Sequence, residues 1–174
     1  MGMMRQLLMG GSGGERTLVS TTDPHTSATS MPAMAMRGGA SYSVSWTGTL
    51  PSVGSYSTAY VFELLGGVGS TVSSMCSAAL RGGSGFGAHP TLSVTLFGPT
   101  VYSGQLSPGA SVALELRFTV NAVSDTSPYY TLTAECYVDG VRKGGVTIKS
   151  TKNAGSGLRY YRNLAGTFIV KKLS

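Results

Sequence analysis

The sequence is poor in charge, in cysteine and in long apolar runs. Only 11% of its 174 residues are charged, and it has two cysteines, Cys76 and Cys136. Such scarce charge argues against a coiled coil or a helical bundle, and two cysteines are too few for a disulfide-stapled miniprotein. No apolar run approaches the roughly 20 residues of a membrane-spanning helix. We therefore expect two buried thiols and no membrane partner, while the sequence leaves open a disulfide between Cys76 and Cys136.

The sequence also lacks the patterns of catalysis and of metal or cofactor binding. Its two histidines and seven carboxylates have no spacing typical of a metal site. Gly67-Val68-Gly69 follows a predicted strand, but Val72 stands where a dinucleotide-binding turn needs its third glycine. No serine lies in a nucleophile elbow between a strand and a helix. We predict no catalytic residue, no cofactor and no metal, and hence no enzyme.

The N-terminus lacks the apolar stretch of an export signal. The segment MGMMRQLLMGGSGG has only a short apolar patch after its first basic residue, whereas a signal peptide has about 7–15 apolar residues in a row. We expect a protein made in the cytoplasm and not exported by this route.

The sequence is rich in small residues, and apolar and polar residues alternate along much of it. Glycine, serine and threonine number 25, 24 and 19, while 41% of residues are apolar, which is too many for a disordered chain. From Ser41 onward apolar and polar residues alternate, a pattern that predicts strands with one buried face. The predicted strands are 41–50, 57–65, 91–97, 111–120, 129–138, 141–149, 158–162 and 166–173.

Two turns and one helix complete this prediction. Asp139-Gly140 accepts the positive φ of a type I′ turn and predicts a hairpin. Residues 163–165 predict a second hairpin, between the last two strands. Between Ser70 as N-cap and Gly82, apolar residues recur with a helical period, which predicts a short helix over 71–81. The residues with this period are Val72, Met75, Cys76, Ala79 and Leu80.

The later strands resemble a known class of module. The loop LSPGAS (106–111) leads into the alternating strand that ends Phe118-Thr119-Val120, and TLTAECYVDG follows. Over about residues 105–141 this arrangement resembles the immunoglobulin-like β-sandwich modules of bacterial surface proteins and of phage and other virion proteins. The resemblance implies an all-β antiparallel sandwich, here over residues 40–174. A viral jelly roll stays open as the alternative.

Residues 1–39 differ from the rest, because they hold seven of the eight methionines and have no sustained period. We predict an extended N-terminal arm that docks on a neighbouring subunit, since methionine adapts to irregular grooves. On this hypothesis, deletion of residues 1–39 leaves a folded domain that no longer assembles. The residues predicted to dock are Met3, Met4, Leu7, Leu8, Met9, Met31, Met34 and Met36.

The net charge of +6 comes from the C-terminal part. Residues 1–141 hold five basic and seven acidic groups, a balance of −2, whereas residues 142–174 hold eight basic groups and no acid. We predict a basic surface that meets an acidic subunit or nucleic acid. Its residues are Arg142, Lys143, Lys149, Lys152, Arg159, Arg162, Lys171 and Lys172.

These features together predict a structural virion protein, a capsid, decoration or tail component of a bacteriophage or another virus. It would act by assembly into a homo-oligomer with other virion subunits. Two alternatives stay open: a β-sandwich module that binds host glycans or proteins, and a viral coat protein that contacts nucleic acid.

Overall fold

The computed structural model of the chain is an antiparallel β-sandwich, as predicted. It describes residues 14–22, 25–52, 57–66, 73–82, 89–151, 158–162 and 164–174. These ranges hold twelve strands and no helix, so none of their segments is a candidate membrane-spanning helix. The strands are β1 (Arg16–Thr21), β2 (His25–Ser30), β3 (Ser41–Thr49), β4 (Thr58–Gly66), β5 (Ser73–Arg81), β6 (Thr91–Leu96), β7 (Thr100–Gln105), β8 (Ser111–Val123), β9 (Tyr130–Val138), β10 (Val141–Ser150), β11 (Arg159–Arg162) and β12 (Thr167–Lys172).

The strands form two six-stranded sheets. Sheet 1 has the order β1-β12-β3-β8-β9-β10, and sheet 2 has the order β2-β11-β4-β5-β6-β7. Immunoglobulin domains have seven to nine strands, so twelve described strands in this order depart from the immunoglobulin-like arrangement. The all-β antiparallel sandwich itself is confirmed.

The core between the two sheets is formed by apolar residues that alternate with polar ones along the strands. Every second residue of β8 from Val112 to Val120 is apolar and at most 4% exposed. The residues between them lie on the outer face. Across the core, the ring of Phe168 in sheet 1 lies 5.6 Å from the ring of Phe62 and 5.4 Å from that of Tyr160, both in sheet 2. Aromatic contacts therefore join the two sheets.

The Asp139-Gly140 hairpin is confirmed. Asp139 and Gly140 have φ angles of 52° and 76°, and Val138 pairs with Val141 across the turn. The Oδ1 of Asp139 accepts a hydrogen bond of 2.8 Å from the backbone N–H of Ala113, which ties the turn to β8. The other predicted hairpin is wrong, because β11 belongs to sheet 2 and β12 to sheet 1.

The predicted helix over 71–81 is also wrong, because Ser73–Arg81 form β5. This strand lies inside sheet 2 between β4 and β6, and its six residues from Met75 to Leu80 are all buried. On the outer face, Ser77 and Ala79 are only 9% and 8% exposed. A run of small and apolar residues fits a helical period as well as a strand buried on both faces, and strand pairing decides between them.

The described part of the predicted arm belongs to the sandwich. β1 pairs with β12 at the edge of sheet 1, and β2 pairs with β11 at the edge of sheet 2. Met34 is fully buried, Met31 is 9% exposed, and the half-buried Met36 packs against the same core. The domain boundary predicted at residues 39 and 40 is therefore corrected, since these methionines fill the core of their own chain. Outside the described residues lie Met3, Met4, Leu7, Leu8 and Met9, whose docking role stays a prediction.

Both cysteines are buried, as predicted, and they lie in opposite sheets as free thiols. Burial raises the pKa of Cys136 to about 12 and holds that of Cys76 well above its usual range. The two thiols therefore stay protonated and pack as small apolar groups.

Candidate functional site

A shallow groove follows β3 on the outer face of sheet 1 and has a volume of about 400 Å³. Its floor consists of the small side chains of Ser43, Ser45 and Thr47, which span roughly 13 Å at the usual rise of a strand. Longer side chains of the neighbouring strands form its walls, namely Glu115, Arg117, Tyr137, Ile169 and Lys171. We call this groove the sheet 1 furrow. Its length suits an extended ligand.

Glu115 accepts two side-chain hydrogen bonds in the sheet 1 furrow. Ser43, which is 3% exposed, donates its hydroxyl to Oε1 of Glu115 at 2.6 Å, and Arg117 donates to Oε2 at 2.9 Å. Burial by itself would raise the pKa of this carboxyl. The hydrogen bonds from Arg117 and Ser43, with the charges of Arg117 and Lys171, outweigh burial and lower the pKa. Glu115 is therefore an ionised, fixed hydrogen-bond acceptor at neutral pH.

A chain of contacts extends from Arg117 across two more strands. The guanidinium carbon of Arg117 lies 4.8 Å from the centre of the Tyr137 ring. Tyr137 donates its hydroxyl to Oε2 of Glu135 at 2.9 Å, and Arg142 donates to Oε1 at 2.7 Å. These two hydrogen bonds lower the pKa of Glu135. The wall formed by β8, β9 and β10 is thus held by charged and aromatic groups in contact.

Three acidic groups on this face each form an ion pair. Glu115 pairs with Arg117, Glu135 with Arg142, and Glu15 with Lys171 at the opposite wall. Lowered pKa values leave Glu115 and Glu135 without the proton that a general acid needs. Among the described residues, no group of three histidine, cysteine or carboxylate side chains could hold a metal ion. The groups around the furrow are therefore donors and acceptors whose charges are already paired with one another.

The structure does not bring the predicted basic residues onto one surface. Arg142, Lys149 and Lys171 lie on the outer face of sheet 1, whereas Arg159 lies on sheet 2. Arg162 is fully buried and donates to the backbone oxygen of Gly166 at 2.5 Å. Lys143 is exposed at a bulge of β10, and Lys172 pairs in register with Arg16. Lys152 lies outside the described residues.

This dispersal has a simple cause. Strands β10, β11 and β12 are consecutive in the sequence, but they go to the edge of sheet 1, to sheet 2 and back to sheet 1. Closeness in sequence therefore does not produce one surface.

Sequence reasoning missed the residues of the sheet 1 furrow. Glu115 and Arg117 occupy alternate positions of β8, so the sequence alone indicates two opposite charges on the solvent-exposed face of this strand. The sequence did not indicate the contact of Glu115 with Ser43, because it depends on the pairing of β3 with β8. This pairing brings together residues 72 positions apart.

The lowered pKa of Glu115 makes a prediction for stability against pH. A group whose folded pKa lies below its unfolded value of about 4.3 stabilises the fold above that value, and the contribution is lost as the pH falls through the folded pKa. Because the ion pair is partly exposed, we expect E115Q to lower the free energy of unfolding by about 1 kcal/mol at pH 7. Urea unfolding at pH 7 and at roughly pH 3 should show this difference shrinking.

The control for E115Q is D125N, in the exposed loop after β8 and outside the furrow lining. A stability difference between wild type and E115Q that does not change with pH would contradict the role of this carboxylate.

Comparisons with known proteins give only distant structural likenesses. No family model and no curated protein matches the sequence. Among solved structures, alginate lyase Aly36B is 12% identical with a TM-score of 0.47, over 91% of this chain and 78% of that one. A Caenorhabditis elegans galectin is 12% identical with a TM-score of 0.39, over 89% and 95%. An alginate lyase from a Chlorella virus is 9% identical with a TM-score of 0.44, over 96% and 86%. At these values the likeness concerns the β-sandwich alone and supports no activity.

Proposed function

We propose that the chain is a glycan-binding β-sandwich module that holds a neutral, extended oligosaccharide in the sheet 1 furrow. The observation that carries this proposal is the Ser43–Glu115–Arg117 contact, which fixes an acceptor beside a donor on the wall of an open groove. A sugar hydroxyl donates one hydrogen bond and accepts others, so a carboxylate next to a guanidinium matches it. The volume of about 400 Å³ lies within the usual range for ligand sites.

A neutral ligand is favoured because the charges of the furrow already pair with one another. An acidic or basic sugar would have to compete with the partners of Glu115 or Lys171. We also propose binding without catalysis, since Glu115 and Glu135 are held ionised and His89 is exposed outside the furrow lining.

The test is an array of immobilised neutral oligosaccharides built from glucose, mannose or galactose. We expect wild type to bind at least one of them, and S45L to bind it at least about tenfold more weakly, because a leucine on β3 fills the floor of the furrow. The matched control is T147L, which adds the same bulk on the outer face of β10, outside the furrow. Equal binding by wild type and S45L would refute the site, and no binding on the array would refute the function.

A structural virion subunit is the second candidate, and the position of β1 and β2 favours it. Each is the outermost described strand of its sheet and pairs on one side only. An edge strand presents unpaired backbone groups to which a strand of another chain can add. Light scattering of the purified chain over a concentration series tests assembly, and a monomer at every concentration would argue against this candidate.

The nucleic-acid alternative is weakened, because it depended on a single basic surface. If it nevertheless held, affinity for single- or double-stranded nucleic acid would fall steeply with added salt.

A further inference from the structure

Glu63 of β4 is a buried carboxylate that lacks a partner among the described residues. It is 8% exposed, and it lies on the outer face of sheet 2 because its neighbours Phe62 and Leu64 are fully buried in the core. None of the three ion pairs involves Glu63, and no hydrogen bond joins it to another described residue. Removing a carboxylate from water is unfavourable unless a cation or several donors compensate for the loss.

The carboxylate of Glu63 still has access to the surface. Its oxygens are not among the fully enclosed and unpartnered side-chain atoms of the described residues. Arg159 of β11 lies on the same face, but it forms no ion pair with Glu63 within the described part of the chain. A cation that approaches from outside can therefore reach the carboxylate.

Hydroxyl groups continue from Glu63 across the sheet. Glu63 pairs in register with Ser77 of β5, and Ser77 pairs with Thr95 of β6. The two hydroxyls lie 2.9 Å apart and bond to each other. At the usual strand spacing this row is roughly 10 Å long. We call these three residues the Glu63 row.

We propose that the Glu63 row binds an amino sugar, with the ligand's primary ammonium on Glu63 and its hydroxyls on Ser77 and Thr95. An ammonium supplies both the charge and the donors that the carboxylate lacks. A metal ion fits less well, because calcium takes six to eight oxygen ligands and no cluster of three metal-ligating side chains exists among the described residues. The site lies on the opposite side of the sandwich from the sheet 1 furrow and does not depend on it.

The experiment compares two ligands that differ in charge. Backbone amide shifts of the full chain are followed by NMR at mildly acidic pH, during titration with a glucosamine tetramer or with its fully N-acetylated form. We expect the glucosamine tetramer to perturb β4, β5 and β6 and to bind at least about tenfold more tightly than the acetylated tetramer at this site. E63Q should abolish that preference.

The control is E135Q, which removes a carboxylate from the outer face of sheet 1 and should keep the preference. If E63Q does not fold, S77A serves instead. It should weaken binding of the glucosamine tetramer about threefold and keep the preference for this charged tetramer over the acetylated one. Nα-acetyl-lysine amide should bind more weakly than the glucosamine tetramer.

Three results would overturn the proposal: equal affinity for both tetramers on sheet 2, shifts confined to sheet 1, or lysine amide binding as tightly as the sugar. The last result would indicate that Glu63 binds a lysine side chain of another protein and not a sugar. Shifts of the outer face of sheet 1 report separately on the furrow, so failure of one site is distinguishable from failure of the other.

Discussion

Deletion of residues 1–39 is expected to abolish cooperative unfolding of the domain. The deletion removes β1, an edge strand of sheet 1, and β2, an edge strand of sheet 2. It also removes Met34, which is fully buried, and the loss of one such side chain alone costs about 2–5 kcal/mol. Since a domain of this kind is stable by only about 5–15 kcal/mol, the combined loss exceeds what it can tolerate. Urea unfolding followed by circular dichroism measures the result.

The control deletes residues 1–13 and leaves every described strand in place. We expect that variant to unfold cooperatively near the wild-type midpoint. The stability of M34A against urea should lie between those of the two deletion variants. If the chain that lacks residues 1–39 unfolded as cooperatively as wild type, the first 39 residues would be an independent arm, as their composition suggested.

F168A is expected to lower the free energy of unfolding by about 3–5 kcal/mol. Phe168 is fully buried in β12, and its ring contacts Phe62 of β4 and Tyr160 of β11 across the core. Alanine would leave a cavity between the sheets and remove both aromatic contacts. Thermal and urea unfolding should both report the loss.

The matched control for F168A is T167A, because Thr167 precedes it in β12 and is exposed on the opposite face. A surface substitution of this kind usually changes stability by less than about 0.5 kcal/mol. A double-mutant cycle with F62A isolates the contact between the sheets, and additive losses would show that the two rings are not coupled.

The two faces of the sandwich differ in a way that bears on function. On the outer face of sheet 1, Glu15, Glu115 and Glu135 each form an ion pair with a cation. On sheet 2, Glu63 stands among hydroxyl groups without such a match in the described residues. We therefore expect the two faces to select ligands of different charge, and the array and the NMR titration test them separately.

Local alternation predicted most of the fold. The runs around Val44 and Leu116 became strands with the expected face inside, and the Asp139-Gly140 turn formed as predicted. These features depend on neighbouring residues only, because side chains of a strand alternate between two faces and a type I′ turn needs two positive φ angles in sequence.

Four predictions failed because they needed information beyond neighbouring residues, and one of them is the hairpin across residues 163–165, whose strands lie in different sheets. The β5 segment has small or apolar residues at nearly every position, so its period alone could not separate a helix from a buried strand. Met34 was assigned to an arm because residues 1–39 are rich in methionine and have no sustained period, yet its side chain fills the core. The basic residues were grouped by sequence, whereas Arg159 and Lys171 lie in different sheets.

The sequence by itself determined which residues of most strands face the core, and hence that the chain is an antiparallel β-sandwich. Only the tertiary structure decided which strands are neighbours, and therefore that Ser43 contacts Glu115 and that Glu63 lies in register with Ser77. The physical reason is that alternation is set within one strand, whereas register and sheet order depend on the packing of segments far apart in the chain.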